Sequence, residues 1–145
     1  QVWGGLVPYG RVWRTGANAA TRLRFSTPVR IGTDSLPAGS FALFTIPEPD
    51  SVTLIFNTVA GQWGAYAYDS TKDALRHKVP LLASADFTER FTISLNVLDS
   101  NRARMALQWA GRLIPIDVHV RTEQEVLKAL SAEINGLRAR WTLPY

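Results

Sequence analysis

Phe91-Thr-Ile-Ser-Leu-Asn-Val97, Arg102-Ala-Arg-Met-Ala-Leu-Gln-Trp109 and Arg112-Leu-Ile-Pro-Ile-Asp-Val-His-Val120 decide the fold. In the first, Phe91, Ile93, Leu95 and Val97 alternate with Thr92, Ser94 and Asn96. In the second, Ala103, Met105, Leu107 and Trp109 alternate with Arg102, Arg104, Ala106 and Gln108, and Ile114, Ile116, Val118 and Val120 carry the pattern into the third. Successive side chains of a strand point to opposite faces, so each segment has one dry face and one wet one. Asp99-Ser-Asn101 and Ala110-Gly111 are turn sequences. The stretch is therefore an antiparallel meander of three strands.

Upstream, the same period recurs. Leu23 and Phe25 alternate with Arg22, Arg24 and Ser26, and Val29 and Ile31 flank Arg30, which gives a strand broken at Pro28. Asp34 to Gly39, with Leu36-Pro-Ala-Gly39, reads as a turn. From Ser40 to Ile46, both parities are apolar apart from Ser40 and Thr45, as expected of a strand covered on both sides. Pro47 and Pro49 end it, and Val52 to Asn57 forms the next strand. A long connection, residues 58 to 80, follows, with a short strand near Leu75 to Val79. The first twenty residues hold Gly4, Gly5, Pro8, Gly10 and Gly16, too many breakers for a regular element. Trp3, Leu6, Val7, Tyr9, Val12 and Trp13 are too apolar for a solvated tail, so this segment is ordered but irregular.

Beyond Val120 the period changes to that of a helix. Thr122-Glu-Gln-Glu125 matches a capping box, Val126, Leu127, Leu130, Ile134 and Leu137 share one helical face, and Asn135-Gly136 is a helix stop. The expected fold is mainly β, an antiparallel sandwich or barrel-like domain with one C-terminal amphipathic α-helix. Residues 1–121 form the β domain, and 122–145 supply a helix and tail packed on it.

Composition removes several functions. The chain has no cysteine, which excludes disulfides, thiolate catalysis and thiolate metal sites. No apolar run approaches the roughly 18 residues of a membrane-spanning helix. The net charge is +4, with thirteen Arg and three Lys. These lie as scattered i, i+2 pairs on strands, not as one basic face, which argues against a nucleic-acid partner. His77 and His119 are the only histidines. Asp117 and His119 share a strand face, but a single pair of exposed strand residues is no metal site, and no metal or cofactor is expected. There is no nucleophile elbow and no phosphate-cradling glycine loop.

Two segments retain binding chemistry. Trp13-Arg-Thr-Gly-Ala-Asn18 places the guanidinium of Arg14, the hydroxyl of Thr15 and the amide of Asn18 within a few residues, an inventory suited to an anionic or sugar-like ligand. A purely structural alternative has Arg14 pairing with Asp69 or Asp73 to pin the N-terminal segment. Gln62-Trp-Gly-Ala-Tyr-Ala-Tyr-Asp69 carries Trp63, Tyr66 and Tyr68. In an extended segment the two tyrosines project on one side, as in aromatic platforms for carbohydrate, although such rings also serve as core. Asp73 and Arg76, at i, i+3, are expected to form an ion pair closing the loop.

These strings carry a resemblance. Gly4-Gly-Leu-Val-Pro-Tyr-Gly10, Val12-Trp-Arg-Thr-Gly-Ala-Asn18, Leu36-Pro-Ala-Gly39, Leu43-Phe-Thr-Ile-Pro47, Leu54-Ile-Phe-Asn57 and Gln62-Trp-Gly-Ala-Tyr66 resemble the bacterial DUF2911 family over most of residues 4 to 120. The resemblance implies an exported protein, periplasmic or extracellular, and supplies no reaction. Members usually carry Glu where this chain has Ala19. They also have strand sequence upstream of the Gly-Gly-Leu-Val-Pro-Tyr-Gly motif, whereas Gln1 lies three residues before it. A sheet short of a strand exposes backbone groups, so self-association through strand pairing or the apolar termini is expected. The expected function is a non-catalytic binding or self-assembly module whose ligand surface draws on Arg14, Thr15, Asn18, Gln62, Trp63, Tyr66, Tyr68, Asp73 and Arg76. The alternative is a small hydrolase- or isomerase-like enzyme using Arg14, Asn18 and Asp73, with Asp69 as a second candidate base.

Overall fold

The computed structural model describes residues 2–15, 21–61, 68–85, 89–99 and 101–120, together with the backbone of 130–133 and 138–142. In chain order the strands are β1 (Thr21–Phe25), β2 (Val29–Ile31), β3 (Asp34–Leu36), β4 (Gly39–Pro47), β5 (Ser51–Asn57), β6 (Asp73–Pro80), β7 (Leu82–Ala83), β8 (Thr92–Val97), β9 (Arg102–Trp109), β10 (Arg112–Val120), β11 (Leu130–Glu133) and β12 (Arg138–Thr142). They make two open sheets, not a closed barrel. The first has the order β11-β1-β4-β5-β6, and the second β12-β8-β9-β10-β2-β3, with β7 also pairing β10. Every pairing is antiparallel except β8 with β12. Among the described residues no helix is long and apolar enough to cross a membrane.

The meander is present as β8, β9 and β10, in register from Thr92 opposite Gln108 to His119 opposite Arg102. The broken strand at Pro28 has a further meaning. Its two halves lie in different sheets, β1 in the first and β2 in the second, so the proline marks the corner where the chain crosses. The C-terminal helix is where sequence and structure part. Most of it falls on residues 121–129 and 134–137, outside the described ones. The four positions that are described, Leu130–Glu133, form a strand with Leu130 opposite Phe25 and Glu133 opposite Arg22. Helix periodicity is a weak preference. An unpaired edge such as that of β1 offers a full ladder of backbone hydrogen bonds that can override it.

The inner faces of the two sheets form the core. Phe25, Phe41, Leu43, Leu54 and Phe56 of the first meet Ile93, Leu95, Met105, Leu107, Ile114 and Ile116 of the second, all buried. The Phe25 ring lies 6.2 Å from Phe41 and 6.3 Å from Phe56. The two-sided apolarity of β4 has its explanation on the outer face, where Ala42, Phe44 and Ile55 form a second buried cluster under Val12, Ile46 and Tyr68.

The irregular N-terminal segment joins the sheets at one end. Trp13 exchanges backbone hydrogen bonds with Thr45 of β4, at 2.7 and 3.0 Å, while its ring stacks on Trp109 of β9 at 6.0 Å. At another point of contact His77 of β6 lies over the β2–β3 turn. A Cβ at Gly32 would overlap the imidazole, and the φ of +62° there also favours glycine. The β9–β10 hairpin turns on Ala110 (φ 47°) and Gly111 (φ 78°), the pair of positive φ values that a type I′ turn requires.

On the wet face of the second sheet Arg104 donates two hydrogen bonds to Asp117, at 2.6 and 3.0 Å. These bonds hold the Asp117 carboxyl below its ordinary value of 3.8. A carboxyl whose folded pKa is depressed contributes stability that is complete above its unfolded pKa and is lost as pH falls through the folded one. Unfolding free energy should therefore drop as the pH is lowered below about 4, and Arg104→Gln should flatten part of that drop. Urea titrations of both proteins between about pH 5 and 2.5 test this, and identical slopes would deny the pair any role.

Candidate functional site

The outer face of the first sheet gathers three of the side chains singled out from sequence. β5 and β6 pair regularly from Ser51 opposite Pro80 to Phe56 opposite Leu75, and then the register shifts so that Asn57 meets Asp73. One extra residue, Ala74, has been taken up on β6. Without this bulge Asp73 would share the inward parity of Leu75. With it, Asp73 comes to the outer face alongside Arg76, which pairs with Ile55.

Asp73 is the hub. Its Oδ1 accepts from Asn57 Nδ2 at 2.9 Å, and its Oδ2 accepts from the Tyr68 hydroxyl at 2.5 Å and from Arg76 Nε at 2.9 Å. Arg76 Nη2 in turn donates to the Tyr68 oxygen at 2.7 Å. The Tyr68 ring rests on Phe44, with centroids 5.0 Å apart, so the polar group sits on the apolar floor of Phe44 and Ile55. Burial and the bond to Asp73 push the Tyr68 phenol above its usual pKa, so it stays protonated and acts as a donor. The bond to Asp73 likewise raises Arg76, which stays charged. The Asp73 side chain is 10% exposed and that of Arg76 45%, so the carboxylate is inside and the guanidinium faces out.

The residues that follow Tyr68 are tied down as well. Asp69 caps the short 3₁₀ turn Ser70–Lys72, with Oδ1 accepting from the Thr71 hydroxyl at 2.7 Å and the Thr71 backbone N–H at 2.9 Å. Those bonds lower the Asp69 carboxyl. Asn57 Nδ2 also donates to the Asp69 carbonyl at 3.0 Å, and Thr58 N to the Lys72 carbonyl at 2.9 Å.

Arg14 has the parity of the same face. Trp13 and Thr45 form an antiparallel bridge, Val12 packs on the outer cluster, and Arg14 stands two residues on from Val12. Arg14 pairs with neither Asp69 nor Asp73. Its Nε is shielded from solvent and has no hydrogen-bond partner. Thr15 belongs elsewhere. It is fully buried on the inner side, with its hydroxyl 3.2 Å from that of Thr45 and a bond to the Trp13 carbonyl at 3.3 Å. Asn18, Gln62, Trp63 and Tyr66 lie outside the described residues.

Asn57 is the site residue that sequence reasoning passed over. It is completely buried, with its Oδ1 accepting from Val59 N at 3.0 Å while its amide holds Asp73. A polar residue closing the apolar run Leu54-Ile-Phe-Asn57 is the signal, since a buried amide implies partners. Asp117, paired in sequence with His119 as a metal corner, is engaged by Arg104. Among the described residues no three His, Asp or Glu side chains cluster as a metal site would need.

Comparison with known proteins adds one finding. A family model described as a protein of unknown function (DUF2911) matches residues 1–118. No curated protein and no solved structure matches.

Proposed function

This chain belongs to the DUF2911 family, and for it we propose a non-catalytic, ligand-binding module that takes an anionic or sugar-like molecule on the outer face of the first sheet. Acidic sugars combine both features. The observation that carries this reading is the preorganised group of Tyr68, Asp73 and Arg76, anchored by the buried Asn57. A carboxylate that accepts three hydrogen bonds from its own protein is an orienting group and not a free base, and Asp69 is engaged through Oδ1 by two bonds from Thr71 as the cap of its turn. That is why binding is preferred over hydrolase- or isomerase-like chemistry through Arg14, Asn18 and Asp73.

Arg76 keeps Nη1 for a ligand, and the shielded Arg14 Nε is a buried donor that a carboxylate or sugar oxygen would satisfy. Strand-mediated self-association draws less support, because the edges of β1 and β8 are already paired within the chain. The family resemblance supports a place outside the cytoplasm, in the periplasm or the extracellular space.

The test is a titration of the ¹⁵N-labelled chain with uronic-acid oligosaccharides and their neutral counterparts. Amides around Asn57, Tyr68 and Arg76, and the Arg76 side-chain N–H, should shift with the acidic sugars. Affinity should fall about tenfold or more in Arg76→Gln, the equivalent of losing one charge-assisted hydrogen bond. Shifts confined to other surfaces, or unaltered in the variant, would remove the site. Breakdown of the oligosaccharide during the titration would favour the enzyme instead.

A further inference from the structure

A cleft lies on the other sheet, at the end where β2, β3 and β10 meet. It has a volume of about 580 Å³ and is lined by Thr27, Pro28, Arg30, Ser35, Asn101 and His119, among others. The registers place these groups in one row: Ser35 is opposite Arg30, Arg30 opposite His119, and His119 opposite Arg102 of β9. Directly opposed side chains on one face have Cβ atoms about 5 Å apart, so the guanidinium and the imidazole converge on a common volume.

The charge balance of this row is uneven. Arg102 is held by Asp99 at 2.8 Å. Asp117, the carboxylate nearest along β10, is held by Arg104 through both oxygens. Asp34 is the residue before Ser35 on β3 and takes the opposite parity. Asp117 also feels the charge of His119 and Arg102, but its hydrogen bonds go to Arg104, and Arg30 and His119 have no ion-pair or hydrogen-bond partner among the described residues. Arg30 is exposed and His119 half-buried. Asn101 donates to the Val120 carbonyl at 3.3 Å and so braces the end of β10 that carries His119.

We propose that this cleft binds a small organic molecule through a phosphate or sulfate group. Arg30 grips the oxyanion with its planar fork, a His119 ring N–H and the hydroxyls of Ser35 and Thr27 supply further donors, and the organic part seats toward Pro28. The volume lies within the range of sites for small organic ligands and exceeds what a bare oxyanion fills. The site is separate from that around Asp73, on the opposite outer face of the sandwich, and stands or falls independently of it.

The experiment titrates the intact chain with inorganic sulfate, inorganic phosphate and phenyl phosphate, following the imidazole signals of His119 and the backbone amides by NMR. All three should bind saturably at one site that moves His119, with phenyl phosphate the tighter of the two phosphates. Arg30→Gln and His119→Gln should each weaken phenyl phosphate by about tenfold, and Arg30→Lys should recover only part of the loss, since charge returns without the fork. Both residues are accessible, so the urea midpoint should stay close to that of the parent and certify the fold. Absence of saturable binding, or affinity unchanged in Arg30→Gln, overturns the site. Equal affinity for the two phosphates overturns the organic part of the ligand.

Discussion

Replacing Trp13 with alanine should lower the unfolding free energy by about 2 kcal/mol, less than the truncation of a fully buried aromatic because the ring is only partly buried against the core. Trp13 touches both halves of the sandwich. Its backbone is bonded to Thr45 of β4, and its ring meets Trp3 edge-on at 6.0 Å, Phe91 at 5.2 Å and Trp109 in a stacked pose at 6.0 Å. Trp3 Nε1 donates to the Trp109 carbonyl and Trp109 Nε1 to the Glu89 carbonyl, both at 2.8 Å, so the neighbouring rings are fixed by polar bonds and cannot slide in to fill a void. The part of the void that faces the core cannot collapse and keeps its cost, while the outer part fills with water. Trp13→Phe, which keeps an aromatic ring in the cluster, should lose about half as much. Urea unfolding measures both. A loss for alanine below about 1 kcal/mol would mean that the irregular N-terminal segment is not a structural bridge between the sheets. The near-ultraviolet circular dichroism of Trp13→Ala should also weaken, because the stacked pair with Trp109 goes.

The second large effect belongs to Asp73. Asp73→Ala removes the acceptor of three donors at once, and one of them, Asn57, is fully buried. The buried Asn57 amide keeps its bond to the Asp69 carbonyl and loses the one to Asp73, at about 1 kcal/mol, and the phenol of Tyr68 adds a similar amount, while the half-exposed Arg76 recovers its bonds from water. The expected total is about 2 kcal/mol in urea unfolding. Asp73→Asn should cost markedly less, since one amide oxygen still serves Asn57. The pair of variants separates fold from function. Asp73→Asn should remain folded and yet lose the response to acidic sugars, because Tyr68 and Arg76 no longer share a carboxylate that orients them. If Asp73→Ala proves as stable as the parent, the hydrogen-bonded group is a surface feature without anchoring value.

Part of this site is legible in the chain before folding. Asp73 and Arg76 stand three residues apart with opposite charge, which makes an ion pair between them readable in the sequence. That spacing alone, however, would place them on opposite faces of a regular strand. The bulge at Asn57 and Asp73 brings them together, and a bulge is a property of how β5 and β6 pair. Tyr68 was legible as an aromatic of the loop but not as the partner of Asp73, because its place depends on the capped turn that folds the loop back. Thr15 shows the converse. Its sequence neighbours suggested a ligand-facing hydroxyl, and its burial against Thr45 comes from the bridge between Trp13 and β4.

The alternation of apolar and polar side chains in β1 and the meander of β8, β9 and β10, and the two-sided apolarity of β4, are written in the sequence alone, since the two-residue period arises from each residue's own stereochemistry. The turn at Ala110-Gly111 is equally local, whereas the stretch Asp34 to Gly39, read as a turn, begins with three residues that pair with β2 as β3. Which edges meet was decided in three dimensions: β1 and β2 parted between two sheets at Pro28, and Leu130–Glu133 became a strand on β1 where a helical stripe was readable. Those outcomes depend on competing backbone hydrogen bonds and on burial between residues a hundred positions apart, and no short window of sequence contains that competition.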